Sequence, residues 1–167
     1  MNNKTYIQNI IHMLKDQNNH LAHIKQYIKN CINNGFDINT KYLKGNTLAH
    51  YVIKYNVTGL FLFLKKNGLN LDICNDNYDA PIHFAVRNKK YKLVKELIQA
   101  GADINMLAEL DQSALHIAVS EMDKTMVKLL LSLGIDKSLV DERNASALDY
   151  ALDEHNNEII ELLKGGK

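Results

Sequence analysis

The chain has no tryptophan, one proline (Pro81), two cysteines and two arginines among its 167 residues. Each scarcity excludes something. Cys31 and Cys74 are too few for a disulfide framework or a four-sulfur metal site, and they fit a reducing, cytoplasmic setting. With only Arg87 and Arg143, the chain nearly lacks the side chain that best reads guanine. No run approaches the roughly 18 apolar residues of a membrane span. Residues 1–20 show no secretory-type apolar stretch, and residues 163–167 carry no prenylation box. The expectation is a soluble cytoplasmic monomer with no membrane partner, although export without a cleavable signal stays open. Also missing are a Gly-x-Ser-x-Gly elbow, a His-Glu-x-x-His pair and a phosphate-cradling glycine loop. No catalytic residue and no cofactor is therefore expected.

What is present is a polarised charge. Net charge is only +1, yet residues 1–100 hold 14 Lys+Arg against 6 Asp+Glu, and residues 101–167 hold 6 against 13. Lysine and asparagine dominate the polar residues, with 20 Asn, a usage typical of A/T-rich genomes such as those of some bacteria, viruses and protists. At 46% hydrophobic residues the chain can build a continuous core.

The apolar residues repeat every 33 positions. Thr47-Leu48-Ala49-His50, Ala80-Pro81-Ile82-His83, Ser113-Ala114-Leu115-His116 and Ser146-Ala147-Leu148-Asp149 fall in register. Gly68, Gly101 and Gly134 close successive units at a fixed offset, and Gly35 closes an earlier one. Between these markers the spacing is helical: Ile82, Ala85 and Val86 on one short helix, Leu93, Val94, Leu97 and Ile98 on the next. The glycines then stop the second helix at positive φ. Such a period predicts an all-α stack of helix pairs, which presents a surface and seldom encloses a pocket.

These motifs resemble the ankyrin repeat family, whose Thr-Pro-Leu-His-x-Ala and Gly-Ala-Asp-x-Asn signatures are matched most closely by Ala80–Ala85 and Gly101–Asn105. The resemblance implies an ankyrin-repeat solenoid of stacked antiparallel helix pairs with projecting hairpin loops. Residues 35–167 then divide at about 44–76, 77–109, 110–142 and 143–167, the last repeat being a cap. Residues 1–34 lack the motif, but carry two helical stripes (Ile7, Ile10, Ile11 and Leu14; Leu21, Ile24, Ile28, Cys31 and Ile32). They read most simply as an N-terminal capping helix pair, with a separate docking module as the alternative. Two departures stand out. Val52 replaces the small Ala of the motif, where looser packing is expected, and Asp149 replaces the histidine.

The resemblance also implies a binding face made of loop tips and inner-helix ends. Those positions hold Tyr42, Leu43, Lys44, Asn46, Lys54 and Tyr55, then Asp76, Asn77, Asp79, Arg87 and Asn88. Glu109, Leu110, Gln112, Ser120 and Glu121 follow, then Glu142, Arg143, Asp153 and Glu154. Tyr42, Leu43 and Tyr55 form the candidate anchor, since aromatic and apolar groups beside charge typify interface centres. The alternative is that they shield the first repeat. The acidic series from Glu109 to Glu154 favours a partner carrying a basic segment. Leu62, where the family is usually polar, marks either a convex contact or an extension of the Phe61–Leu64 cluster.

Other candidates weigh less. His50, His83 and His116 recur one per repeat, roughly 8–10 Å apart on packed helices, and cannot converge on one zinc ion. By the resemblance they hydrogen-bond backbone between loops, so no metal is expected. His12, His20 and His23 lack completing ligands. Lysines of the first half could meet a polyanion, but the array scatters them, so nucleic acid is not the expected partner. The family's asparaginyl hydroxylation position is matched by Asn39 and Asn105. The expected function is a non-catalytic protein-binding scaffold. Its variant is a bacterial or viral effector that engages a eukaryotic host protein and is delivered into the host cell.

Overall fold

The computed structural model describes residues 2–16, 18 and 20–165. Among the described residues ten α-helices form five antiparallel pairs: α1 (Asn3–Lys15) with α2 (Leu21–Asn33), α3 (Leu48–Lys54) with α4 (Phe61–Lys66), α5 (Pro81–Arg87) with α6 (Tyr91–Gln99), α7 (Ala114–Ser120) with α8 (Lys124–Ser132), and α9 (Ala147–Asp153) with α10 (Asn157–Lys164). Inner helices stack in the order α1, α3, α5, α7, α9, and outer helices α4 on α6 and α8 on α10. Among the described residues, extended pairing is limited to two bridges at hairpin bases, Leu107 with Ser113 and Val140 with Ser146. None of the described helices is long and apolar enough to cross a membrane.

Each outer helix stops the same way because the sequence repeats the stop. Gly35, Gly68, Gly101 and Gly134 have φ between 84° and 91°, and the residue after each donates its amide back to the carbonyl of Cys31, Leu64, Leu97 or Leu130. A Cβ there would meet nothing within 4 Å, so the backbone angle, not room, selects glycine. The α1–α2 pair shares this ending and is therefore in phase with the repeats, although its helices are 13 residues long against 7 for each other inner helix. Ile7, Ile10 and Ile28 of that pair are fully buried, as are Leu48, Val52 and Ile53 of α3. Val52, in the motif's small-residue position, is fully buried.

Two ladders tie repeat to repeat. Backbone amides of Thr47, Ala80 and Ser113 donate to Nδ1 of His50, His83 and His116. Since Nδ1 must accept, the proton sits on Nε2, which donates to the carbonyls of Asp79 and Ala145 in the next repeat, both at 3.0 Å, and of Met106, in the loop leading to it, at 2.7 Å. In the fourth repeat Asp149 stands in the histidine position and accepts from the Ser146 amide and hydroxyl. The second ladder runs along the loops after the outer helices. Asn39 Oδ1 accepts from the Asn70 amide, Asp72 Oδ1 from Asp103, and Asn105 Oδ1 from Asp136. At its first rung Asn3 of α1 accepts from the Asp37 amide. At its last, Ser138 turns back to Asp136.

Candidate functional site

The hairpin tips and the C-terminal ends of the inner helices come together on one face. The sequence makes the tips alternate. Asn75 and Asp141 each fold their own tip: Asn75 Oδ1 accepts from the Asn77 and Asp79 amides, and Asp141 Oδ1 from those of Arg143 and Ala145. Tyr42 and Ala108 occupy the same position in the other two repeats and cannot accept in this way. There the turn takes the form with two successive left-handed residues, Lys44-Gly45 (φ 61° and 67°) and Leu110-Asp111 (φ 60° and 56°). Tips then join in pairs, the Asp76 amide donating to Lys44 and the Glu142 amide to Leu110.

At the first repeat the face is aromatic and basic. Tyr51 lies between Tyr42 (centroids 6.3 Å) and Tyr55 (6.5 Å, stacked at 14°). Lys15 and Lys54 each hold an ammonium 5.8 Å from the Tyr55 ring, within cation–π range. The Tyr42 hydroxyl accepts from Gln8 of α1 at 2.7 Å. Leu43 stands beside this shelf, 66% exposed, with Lys41 and Lys44 exposed around it. Tyr42 and Tyr55 are half-buried, so their rings offer edges while Leu43 offers its whole side chain.

The second half of the face is acidic. Glu109, Glu121, Glu142, Asp153 and Glu154 are all exposed. Beneath them lies a buried carboxylate: Asp141 Oδ2 accepts from Tyr150 at 2.7 Å and from both Nε and an NH2 group of Arg143 at 3.2 Å. The Ala145 amide, then the Tyr150 hydroxyl and Arg143, hold Asp141 far below the usual carboxylate range. Gln112 donates to the same Tyr150 hydroxyl at 3.1 Å.

Three candidates are hydrogen-bonded within the chain. Asp79 is only 5% exposed; its carboxylate accepts from Arg87 at 3.2 Å, so it holds tip 2 to the end of α5. Asn46 accepts from Asn75 and donates to the Leu43 carbonyl. Gln112 is committed to Tyr150. All three sit at loop positions that read as exposed; Asp79 is buried, and Asn46 and Gln112 are half-buried. Arg87 and Arg143 keep exposed faces while anchoring Asp79 and Asp141. Lys44, Lys54, Tyr55, Asp76, Asn77, Leu110 and Arg143 lie on the face with the residues already described. Sequence reasoning passed over Tyr51, which centres the shelf, and Tyr78, 65% exposed in a left-handed conformation at tip 2. An aromatic residue at a turn position that favours Gly or Asn was the available signal.

Among the described residues no three His, Cys, Asp or Glu groups could hold a metal. His50, His83 and His116 are buried, and burial pushes each below the usual imidazole value. Cys74 is half-buried and its thiol is raised, chiefly by burial. Asn39 and Asn105 are half-buried with their side-chain oxygens engaged in the loop ladder, so modification at either must accommodate that rung.

The family described as ankyrin repeats (three copies) matches residues 11–108 and again 82–167. Over 81 residues, 48% of the chain, the sequence is 33% identical to an ankyrin repeat protein of Variola virus, 14% of which is covered. Over 93 residues, 54% of the chain, it is 31% identical to a protein of Borreliella burgdorferi named for ankyrin repeats, 22% of which is covered. The chain thus spans less than a quarter of either relative. With the helix pairs, the glycine stops and the matched signatures in one register, the chain belongs to the ankyrin repeat family.

Proposed function

We propose that the chain is a non-catalytic module that binds another protein across the face of tips and inner-helix ends. Ankyrin repeats generally mediate protein–protein interaction. The observation that carries the reading for this chain is Leu43. A 66% exposed leucine, ringed by lysines and backed by three packed tyrosines, forms a compact anchor on a face that no other part of the described chain covers. The acidic half adds orientation and association rate rather than a second anchor. A further reading concerns setting. Relatives in a poxvirus and a spirochaete, together with the lysine- and asparagine-rich usage, favour a module aimed at a eukaryotic host protein.

The test is an affinity pull-down from eukaryotic cytosol read by mass spectrometry. It compares the wild type with a Tyr42→Ala, Leu43→Ala, Tyr55→Ala variant and with Leu43→Glu alone, which leaves the tyrosine packing intact. A protein held by wild type and lost by both variants supports the anchor. Equal retention by all three moves the interface off the first repeat.

A further inference from the structure

Resting on that protein-binding reading, we propose that the cleft between tip 4 and the end of α9 receives a lysine or arginine side chain from a polypeptide segment of the partner. The cleft has a volume of about 380 Å³ and is lined by Ser120, Arg143, Ala145, Tyr150, Asp153 and Glu154. Among the lining groups Tyr150 is half-buried and Asp153 and Glu154 are exposed, as are Glu121 and Glu142 on the same half of the face. The one cation in the cleft is already spent. Arg143 pairs with Asp141 and lies 5.7 Å from the Tyr150 ring. Asp153 and Glu154 are exposed, and among the described residues neither forms an ion pair.

The same helix end in each repeat shows that the fold does not ask for these acids. At the last residue of the inner helix the chain has Lys54, Arg87, Ser120 and Asp153, and at the next position Tyr55, Asn88, Glu121 and Glu154. A helix C-terminus carries negative partial charge, which favours Lys and Arg and disfavours Asp and Glu. Repeats 1 and 2 obey this, while repeats 3 and 4 oppose it. Asp153 and Glu154 sit where they cost stability, beside a cleft of matching size, and an incoming ammonium or guanidinium relieves both the repulsion and the unpaired charge. Sign excludes a phosphate or acidic segment, and the absence of a three-ligand metal cluster among the described residues disfavours a bound divalent ion.

The experiment uses the whole chain, isotope-labelled for NMR, and short peptides alternating glycine with arginine, lysine or neutral citrulline. The arginine or lysine peptide should shift the amides of Ser120, Ala145 and Asp153, and the citrulline peptide should leave them in place. An Asp153→Asn, Glu154→Gln variant should weaken peptide binding about tenfold while raising Tm by about 2 °C. Glu161→Gln on α10, away from the cleft, should change binding less than twofold. Opposite movement of stability and binding is the signature a purely structural role would not give. Equal loss on removing Glu161, shifts spread over the whole acidic half, or the same shifts with magnesium or spermidine would overturn the proposal. A peptide that ignores the cleft, alongside a partner lost from the Leu43→Glu variant, would sink this inference and leave the protein-binding reading standing.

Discussion

A buried histidine that must accept at Nδ1 and donate at Nε2 has no room for a second proton. His50, His83 and His116 each satisfy both demands at 0–1% exposure, and burial holds all three below the ordinary imidazole value of about 6.5. The unfolded chain protonates them first, so it binds more protons as pH falls and the native state loses stability. Their contribution is complete above about pH 7 and drains as pH drops through 6.5 towards the lowered folded values. Within that window each histidine costs about 1.4 kcal/mol per pH unit. Thermal melts from pH 7.5 to 5 should show Tm falling well before the ordinary carboxylate range is reached. A Tm that stays level down to pH 5 would contradict the ladder's tautomer assignment.

At the scale of the element, the tips show how one residue selects a loop. Asn75 makes three hydrogen bonds from its side chain, to the Asn77 and Asp79 amides and to Asn46. Asn75→Ala deprives two amides, one of them on buried Asp79, of their acceptor, at a cost of about 1–3 kcal/mol. Urea unfolding should register that loss, and NMR should show tip 2 moving towards the two-residue left-handed form of tips 1 and 3. A shift of the midpoint without movement of tip 2 would mean that Asp79 and Arg87, not Asn75, set the turn. Gly45 responds to a different constraint. A Cβ there, already at φ 67°, would lie 2.7 Å from the Asp76 amide nitrogen of the adjoining tip. Gly45→Ala should therefore disturb tips 1 and 2 together.

These elements also mark what the sequence could convey. The 33-residue period, the helix faces and the glycine stops repeat a residue type at a fixed offset, so the stacked fold was legible from spacing alone. The candidate face was legible only in outline. Asp79 and Gln112 occupy loop positions that look solvated, yet Asp79 is buried against Arg87 and Gln112 is half-buried against Tyr150 of the next repeat. The Asp141–Tyr150–Arg143 network joins a tip to a helix through side-chain reach, which no periodicity encodes. Tyr51 reads as one more core residue until its ring is seen between two others.

Across the whole molecule, an array transmits stability through neighbours, so its ends matter out of proportion to their size. In the fourth repeat Asp149 stands where the others carry histidine and accepts from the Ser146 amide, and Lys137 donates to the Leu163 carbonyl at 3.0 Å. In the first pair, α1 buries Ile7, Ile10, Ile11 and Leu14. The tyrosine shelf rests on that packing, because Gln8 and Lys15 of α1 contact Tyr42 and Tyr55. Ile10→Ala should then cost about 2–4 kcal/mol as a cavity in a fully buried site. In a nearest-neighbour array the loss of hydrogen-exchange protection should be greatest in α1 to α3 and fade towards α9 and α10. Binding through Leu43 should weaken with it, while peptide binding at the tip-4 cleft should hold. Uniform loss of protection along all five helix pairs would instead show a single cooperative unit, and would couple the two ends of the face through the fold itself.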